Sequence, residues 1–239
     1  LDGPIEGGDA VHIDGDLKEG VGLAFSNNFP GAAVTFEGWF RGTVDTTSQP
    51  TLFSYEGAGQ GNEFIAIISG SLQIYANGSN ATTSISKNDL LDDEWHHVAI
   101  TFDSTPVFDV GAGETVGTVQ VYLDGVLADT VTHVNWDVPL VSSGQLVAGW
   151  EQDGALNNGG QSFQGYVGDV AEIAVYGSVL SETEIEQRIT RPSTLLANDT
   201  DADPGDTVML DLSSDGEPEA FFTTDYNGAN AESIGRSTR

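Results

Sequence analysis

The chain has 239 residues, with 7 Lys and Arg against 37 Asp and Glu and no cysteine. A net charge of −30 repels nucleic-acid phosphates and anionic membrane surfaces, and oxygen-rich side chains in such a field favour calcium over zinc or copper, although a hydrated acidic surface in salty water explains charge equally well. The absence of cysteine excludes disulfides and Cys-based zinc sites, and no run approaches the roughly 18 apolar residues of a membrane-spanning helix, so neither nucleic-acid binding nor membrane insertion is expected.

The chain opens on Leu1 without an initiator methionine and reads as a piece of something longer, with its targeting signals elsewhere. Residues 33–40 (AVTFEGWF), 64–68 (FIAII), 71–76 (SLQIYA), 95–102 (WHHVAITF), 118–123 (TVQVYL), 145–150 (QLVAGW) and 166–176 (YVGDVAEIAVY) are short β-branched or aromatic runs separated by turn residues. Val119, Val121 and Leu123 share one face while Gln120 and Tyr122 take the other, and Asn77-Gly78 and Asp124-Gly125 are turn signals. These features predict an all-β fold over residues 1–191, a two-sheet antiparallel jelly-roll sandwich. One short C-terminal surface helix is expected after Ser181, where Ser181 and Glu184 form a capping box and Ile185 and Ile189 repeat four apart.

Beyond Arg191-Pro192 the character changes. Residues 192–239 read as an acidic linker, with Asp199, Asp201, Asp203 and Asp206, followed by a partial β segment; it is either part of a neighbouring domain or a strand docking on the main one. From Gly228 onward the sequence is polar and a disordered end is expected.

Glu151-Gln152-Asp153 gathers two carboxylates and an amide within three residues. In an extended segment Glu151 and Asp153 project to the same side, so both could reach one ion while the Gln152 carbonyl turns toward it, and Gly154, Gly159 and Gly160 let the chain bend back to deliver Gln161. The plainer reading is a solvated acidic loop.

The stretches TLFSYEGAGQGNEFIAI (51–67), EWHHVAITFDS (94–104), VQVYLDGV (119–126) and GWEQD…QSFQGYVGDV…VLSETEI (149–185) resemble the laminin-G and pentraxin branch of the concanavalin A-like lectins. The W-H-H-V and Y-L-D-G pieces are shared across that superfamily, whereas E-Q-D followed by Q-S-F-x-G-x-x-G-D is similar to pentraxins in particular. The resemblance implies Ca2+ as cofactor, with Glu151 and Asp153 as bridging carboxylates, Gln152 as carbonyl donor, Gln161 as amide ligand and Asn62 reaching across from a distant strand. Two positions depart from it: Gly61 stands where an aspartate is expected, and in a shorter loop Asn157 or Asn158 replaces a further glutamate. Asn158 is placed with the metal and Asn157 with the bound ligand. With fewer charged donors, at least one calcium of modest affinity is expected, and the second stays open. The family's bulky ligand wall falls nearest Ile67 and Gln73, and its disulfide positions fall near Glu37 or Gly38 and Ala99. The aspartates of NDTDADPGD resemble the start of a cadherin-like repeat, which implies a secreted, surface-anchored bacterial adhesin with neighbouring domains on one long chain.

Trp136, Trp150, Tyr75 and Phe163 are each either sugar-stacking surfaces or ordinary packing, and Trp150 and Tyr75 are the candidates beside the ion. His96 and His97, adjacent on a strand, cannot easily share an ion, and one buried with one exposed ring is expected; His12 and His133 show no partner. Asp169 and Glu172 lie three apart and thus on opposite faces of the strand, and neither a Gly-x-Ser-x-Gly elbow nor a phosphate loop occurs. The expectation is a calcium-dependent, non-catalytic binding module for cell-surface or matrix glycans, with a calcium-stiffened spacer as the first alternative and a glycan-active enzyme on the same sandwich as the second.

Overall fold

The computed structural model describes residues 3–4, 9–15, 20–44, 49–57, 63–152, 164–190 and 219–220. Two antiparallel sheets stack face to face. Numbered in chain order, one contains, side by side, β1 (Val11–Ile13), β12 (Gly168–Tyr176), β3 (Ala33–Gly42), β8 (His96–Asp109), β9 (Glu114–Leu123) and β10 (Val126–His133), with a seventh strand, β13 (Glu219–Ala220), beside β12. The six-stranded sheet runs β2 (Val21–Phe25), β11 (Gly144–Ala148), β4 (Thr51–Gly57), β5 (Phe64–Ser69), β6 (Ser71–Ala76) and β7 (Ser79–Ser86).

Alternation sends one face of each strand into the space between the sheets. Phe36 and Phe40 of one sheet meet Phe53 and Phe64 of the other, with ring centres 4.6 Å apart for Phe36–Phe64 and 5.3 Å for Phe40–Phe53. Trp136 is fully buried there, its Nε1 donating to the Ala76 carbonyl at 3.1 Å, so packing is its role. The Asn77-Gly78 and Asp124-Gly125 turns both carry positive φ at both positions, the geometry a two-residue hairpin needs. The helix α1 (Glu182–Thr190) starts on the expected cap: Ser181 N–H donates to the Glu184 carboxylate at 2.7 Å, and Glu184 N–H donates to Ser181 Oγ at 3.4 Å.

Strands β1, β2, β4, β7 and β10 lie outside the runs singled out by periodicity. β7 is rich in Ser and Thr and β10 mixes Val, Leu and Ala with Asp and Thr; as edge strands they give the core little beyond Ile85 of β7 and Val131 of β10. A second departure is at Glu172. Val170, Ile173 and Val175 all face the core, because a bulge between Ala171 and Ala174, with Glu172 at φ +51°, slips the alternation by one residue. The opposite-face argument for Asp169 and Glu172 therefore fails. Of residues 192–239, only Glu219 and Ala220 are described, paired with Val175 and Ala174 of β12; the linker aspartates and the end from Gly228 lie outside the described residues.

Candidate functional site at the end of β11

The outward face of the six-stranded sheet is unusually polar for a buried surface. On β4, Ser54 and Glu56 alternate with the core residues Phe53 and Tyr55; on β11, Gln145 and Val147 alternate with Leu146 and Ala148. Register sets Gln145 opposite Glu56, Ser54 opposite Ile65, Ile65 opposite Tyr75 and Ile67 opposite Gln73. Ser54 and Glu56 are each only 1% exposed, although they face away from the core.

After β11 the chain turns at Gly149, whose φ of +90° suits glycine and whose hypothetical Cβ would lie 2.3 Å from Ile13 Cδ1. The backbone there is tied on both sides, Gly149 N–H to Leu52 O and Tyr166 N–H to Gly149 O. Trp150, Glu151 and Gln152 follow, all buried. Gln152 locks this segment onto the sheet. Its backbone N–H donates to Ser54 Oγ at 3.2 Å, and its Nε2 donates to the carbonyls of Ser54 and Gln145, each at 3.0 Å. None of these bonds uses the Gln152 carbonyl, the atom the resemblance assigns to the metal, and the side-chain Oε1 is buried without a hydrogen-bond partner.

Glu63, at the entry to β5, is also buried, and burial raises its carboxyl pKa against the lowering effect of the Val141 N–H. Glu56, Gln145, Glu151 and Gln152 thus place carboxylate and amide oxygens on two adjacent strands and the segment that leaves them. An oxygen-only set of this kind suits a hard cation. Among the described residues no group of three or more His, Asp or Glu is placed to hold an ion. Asn62, Asp153, Asn157, Asn158, Gln161 and Phe163 lie outside the described residues.

Of the aromatic candidates, Trp150 is 4% exposed, which matches the packing alternative. Tyr75 is half-buried on the outward face of β6, two strands from β4, and its hydroxyl donates to Gln73 Oε1 at 3.3 Å. Ile67 and Gln73, the nearest positions to the family's ligand wall, are direct cross-strand partners on that face. Sequence reasoning missed Ser54, Glu56 and Gln145. The signal was present in TLFSYEG, where a serine and a glutamate alternate with aromatic core residues.

The seven-stranded sheet carries its own polar groups. His12, expected to stand alone, pairs through Nδ1 with Asp169 at 2.7 Å, and Asp169 also accepts Arg41 Nε at 3.0 Å. Burial pushes the Asp169 carboxyl up, but the Arg41 and His12 hydrogen bonds outweigh it and hold it below the usual range. His96 sits between Asp124 and Asp92 at 3.0 and 3.1 Å and is half-buried rather than exposed, while His97 is buried against Trp39, so only the buried half of the expected division holds. No described helix is long and apolar enough to cross a membrane.

A family profile described as the Concanavalin A-like lectin/glucanases superfamily matches residues 15–186. A rat protein named Sushi, von Willebrand factor type A, EGF and pentraxin domain-containing protein 1 is 30% identical over 156 residues, and its mouse counterpart 29%; these cover 64% of this chain but only 4% of the length of those relatives. Among solved structures, the native heptameric SAP-like pentraxin from Limulus polyphemus superimposes with a TM-score of 0.58 at 17% identity, covering 92% of this chain and 97% of that one. The full extracellular region of zebrafish Gpr126/Adgrg6 gives 0.55 at 14% identity, covering 74% of this chain and 22% of that one. With its two antiparallel sheets, lectin-type fold and matched span, the chain belongs to the concanavalin A-like lectin/glucanases superfamily.

Proposed function

We propose that this chain is a calcium-dependent, carbohydrate-binding adhesion module of a secreted or surface-anchored bacterial protein, without catalytic activity. The observation that carries this reading is the strand end itself. Glu151 and Gln152 are both buried, Gln152 is held by three hydrogen bonds to Ser54 and Gln145 that leave its Oε1 without a partner, and Gln145 lies opposite Glu56 on the neighbouring strand. These are hard oxygen donors, and the net charge of −30 raises the local concentration of cations around them. Asn62, Asp153, Asn158 and Gln161 complete the proposed donor set. A bound calcium would supply coordination to hydroxyl or anionic oxygens of a glycan, with Asn157 and the half-buried Tyr75 orienting it; buried Trp150 serves by packing the segment in place.

A second reading is favoured by one observation, the 1% exposure of both Glu56 and Glu151. Carboxylates so enclosed suit an ion closed off by protein, which stiffens a spacer and binds no ligand. A glycan array with and without a calcium chelator, repeated on Asp153→Ala, separates the two. Binding lost on chelation and on substitution is expected. Binding indifferent to both would end the calcium mechanism, and an array without any positive glycan would favour the spacer.

A further inference from the structure

A separate group of buried ionisable side chains lies on the outward face of the seven-stranded sheet, beneath α1. Glu37 of β3 and His97 of β8 are 6% and 3% exposed, with Glu37 Oε2 3.8 Å from His97 Nε2. Glu37 Oε1 accepts the Tyr176 hydroxyl, and that hydroxyl accepts from Arg188 Nη1 of α1 at 3.1 Å. The Arg188 guanidinium also lies 4.1 Å from the centre of the Tyr176 ring. Around this chain of contacts, Ala99, Tyr122, Ala174 and Tyr176 of the sheet pack against Leu180 and Ile185, which seats the helix. The other charged groups acting on the pair are Glu172 of β12, Arg188 of α1 and Asp124 of the β9–β10 turn.

The unmatched atoms indicate which ionisation state suits the site. Glu37 Oε2 and His97 Nδ1 are both buried without a hydrogen-bond partner, and the 3.8 Å separation is too long for a hydrogen bond between the two residues. An imidazolium carries a proton on each nitrogen, so a charged His97 would leave a buried donor unmatched, and a charged Glu37 would leave a bare carboxylate oxygen. Removing both ions from water is repaid only when such atoms are satisfied. A neutral imidazole beside a neutral carboxyl lowers the cost. Electrostatics agree: burial, the largest influence on each, pushes Glu37 up to about 7 and His97 down to about 4.

We propose that Glu37 and His97 form a proton-compensated pair under α1, in which the carboxyl holds the proton while the helix is seated and the imidazole takes it when the site opens to water, making the seating of α1 insensitive to pH across the mildly acidic range. The Glu37 contribution to stability is complete below its ordinary value of 4.5 and is lost as pH rises through about 7. The His97 contribution is complete above its ordinary value of 6.5 and is lost as pH falls through about 4. Between those ordinary values the two slopes oppose each other and cancel.

Side-chain NMR of the wild-type chain at about pH 5.5 reads both groups directly, midway between their ordinary values. A neutral His97 ring and a protonated Glu37 are expected; an imidazolium opposite a carboxylate overturns the proposal. Glu37→Gln and His97→Asn provide the second measurement, by chemical denaturation and by hydrogen exchange of the α1 amides. Relative to wild type, Glu37→Gln should gain stability as pH rises from 4.5 to 7, and His97→Asn as pH falls from 6.5 to 4. Each folding constant should move by up to roughly a hundredfold, while the double variant tracks wild type between 4.5 and 6.5. Two single variants losing stability together near neutral pH would reveal an ordinary ion pair. Slopes in global unfolding with no counterpart in α1 exchange would remove the helix from the mechanism.

Discussion

The two outward faces of the sandwich bury their carboxylates differently. Over the seven-stranded sheet two acids meet hydrogen-bond donors of the chain's own making: Asp169 takes Arg41 and His12, and Glu37 Oε1 takes Tyr176 with Arg188 behind it. Over the six-stranded sheet, Glu56 lies opposite Gln145, Gln152 bonds to the Ser54 and Gln145 carbonyls, buried Glu151 precedes it in the chain, and the Gln152 amide oxygen is left without a hydrogen-bond partner. All four carboxylates are buried, Glu37 and Asp169 at 6% and 7% exposure and Glu56 and Glu151 at 1% each, so the larger difference between the faces is in the chemistry of the neighbours. On the first face the acids lie beside a hydroxyl, an imidazole and a guanidinium, although Glu37 Oε2 is left without a hydrogen-bond partner; on the second, Glu56 is paired across the strands with the amide of Gln145, the kind of oxygen donor we propose for a hard cation.

Substitutions on each face sharpen that contrast. The largest loss is expected for Tyr176→Phe, which removes both the donor to Glu37 and the acceptor for Arg188; unmatched buried groups should cost about 2–3 kcal/mol in urea unfolding. A negligible loss would mean that α1 is held by its apolar contacts alone. Gln152→Met should cost about 1–2 kcal/mol for two lost hydrogen bonds to carbonyls, and the loss should be larger in calcium than in chelator. Equal losses in both media would place Gln152 with the structural groups. For Asp169→Asn, partial exposure of Arg41 and His12 leaves about 1 kcal/mol after solvent screening. Its sign follows from the depressed carboxyl: the stabilisation is present above the ordinary carboxylate range and disappears as pH falls through the folded value, so the variant should lack that part of the acid limb seen in wild type. Ser181→Ala, which removes the helix cap, should cost only about 0.5–1 kcal/mol in thermal unfolding.

Local signals in the sequence were reliable where one residue decides one piece of geometry. Asn77-Gly78, Asp124-Gly125 and the Ser181–Glu184 cap all fold as their chemistry predicts, and Val119 and Val121 face the core as alternation requires. Features set by distant partners were not legible. His12 and Asp169 are 157 residues apart, and nothing near His12 announces the pair. The bulge at Glu172 breaks the period on which face assignment rests, and its left-handed backbone is stabilised by the surrounding sheet rather than by a local turn residue. At the strand end, Glu151 and Gln152 stood out by type and spacing, while Ser54, Glu56 and Gln145 needed the strand register to be recognised as their neighbours.

Calcium uptake at this strand end is the point on which the binding reading depends, and calorimetric titration of calcium into chelator-treated protein measures it. Wild type should bind at least one ion, and Glu151→Gln and Asp153→Asn, each folded by circular dichroism, should lose that binding. A wild-type chain that takes up no calcium, or variants that bind it unchanged, would contradict a calcium site at Glu151 and Asp153.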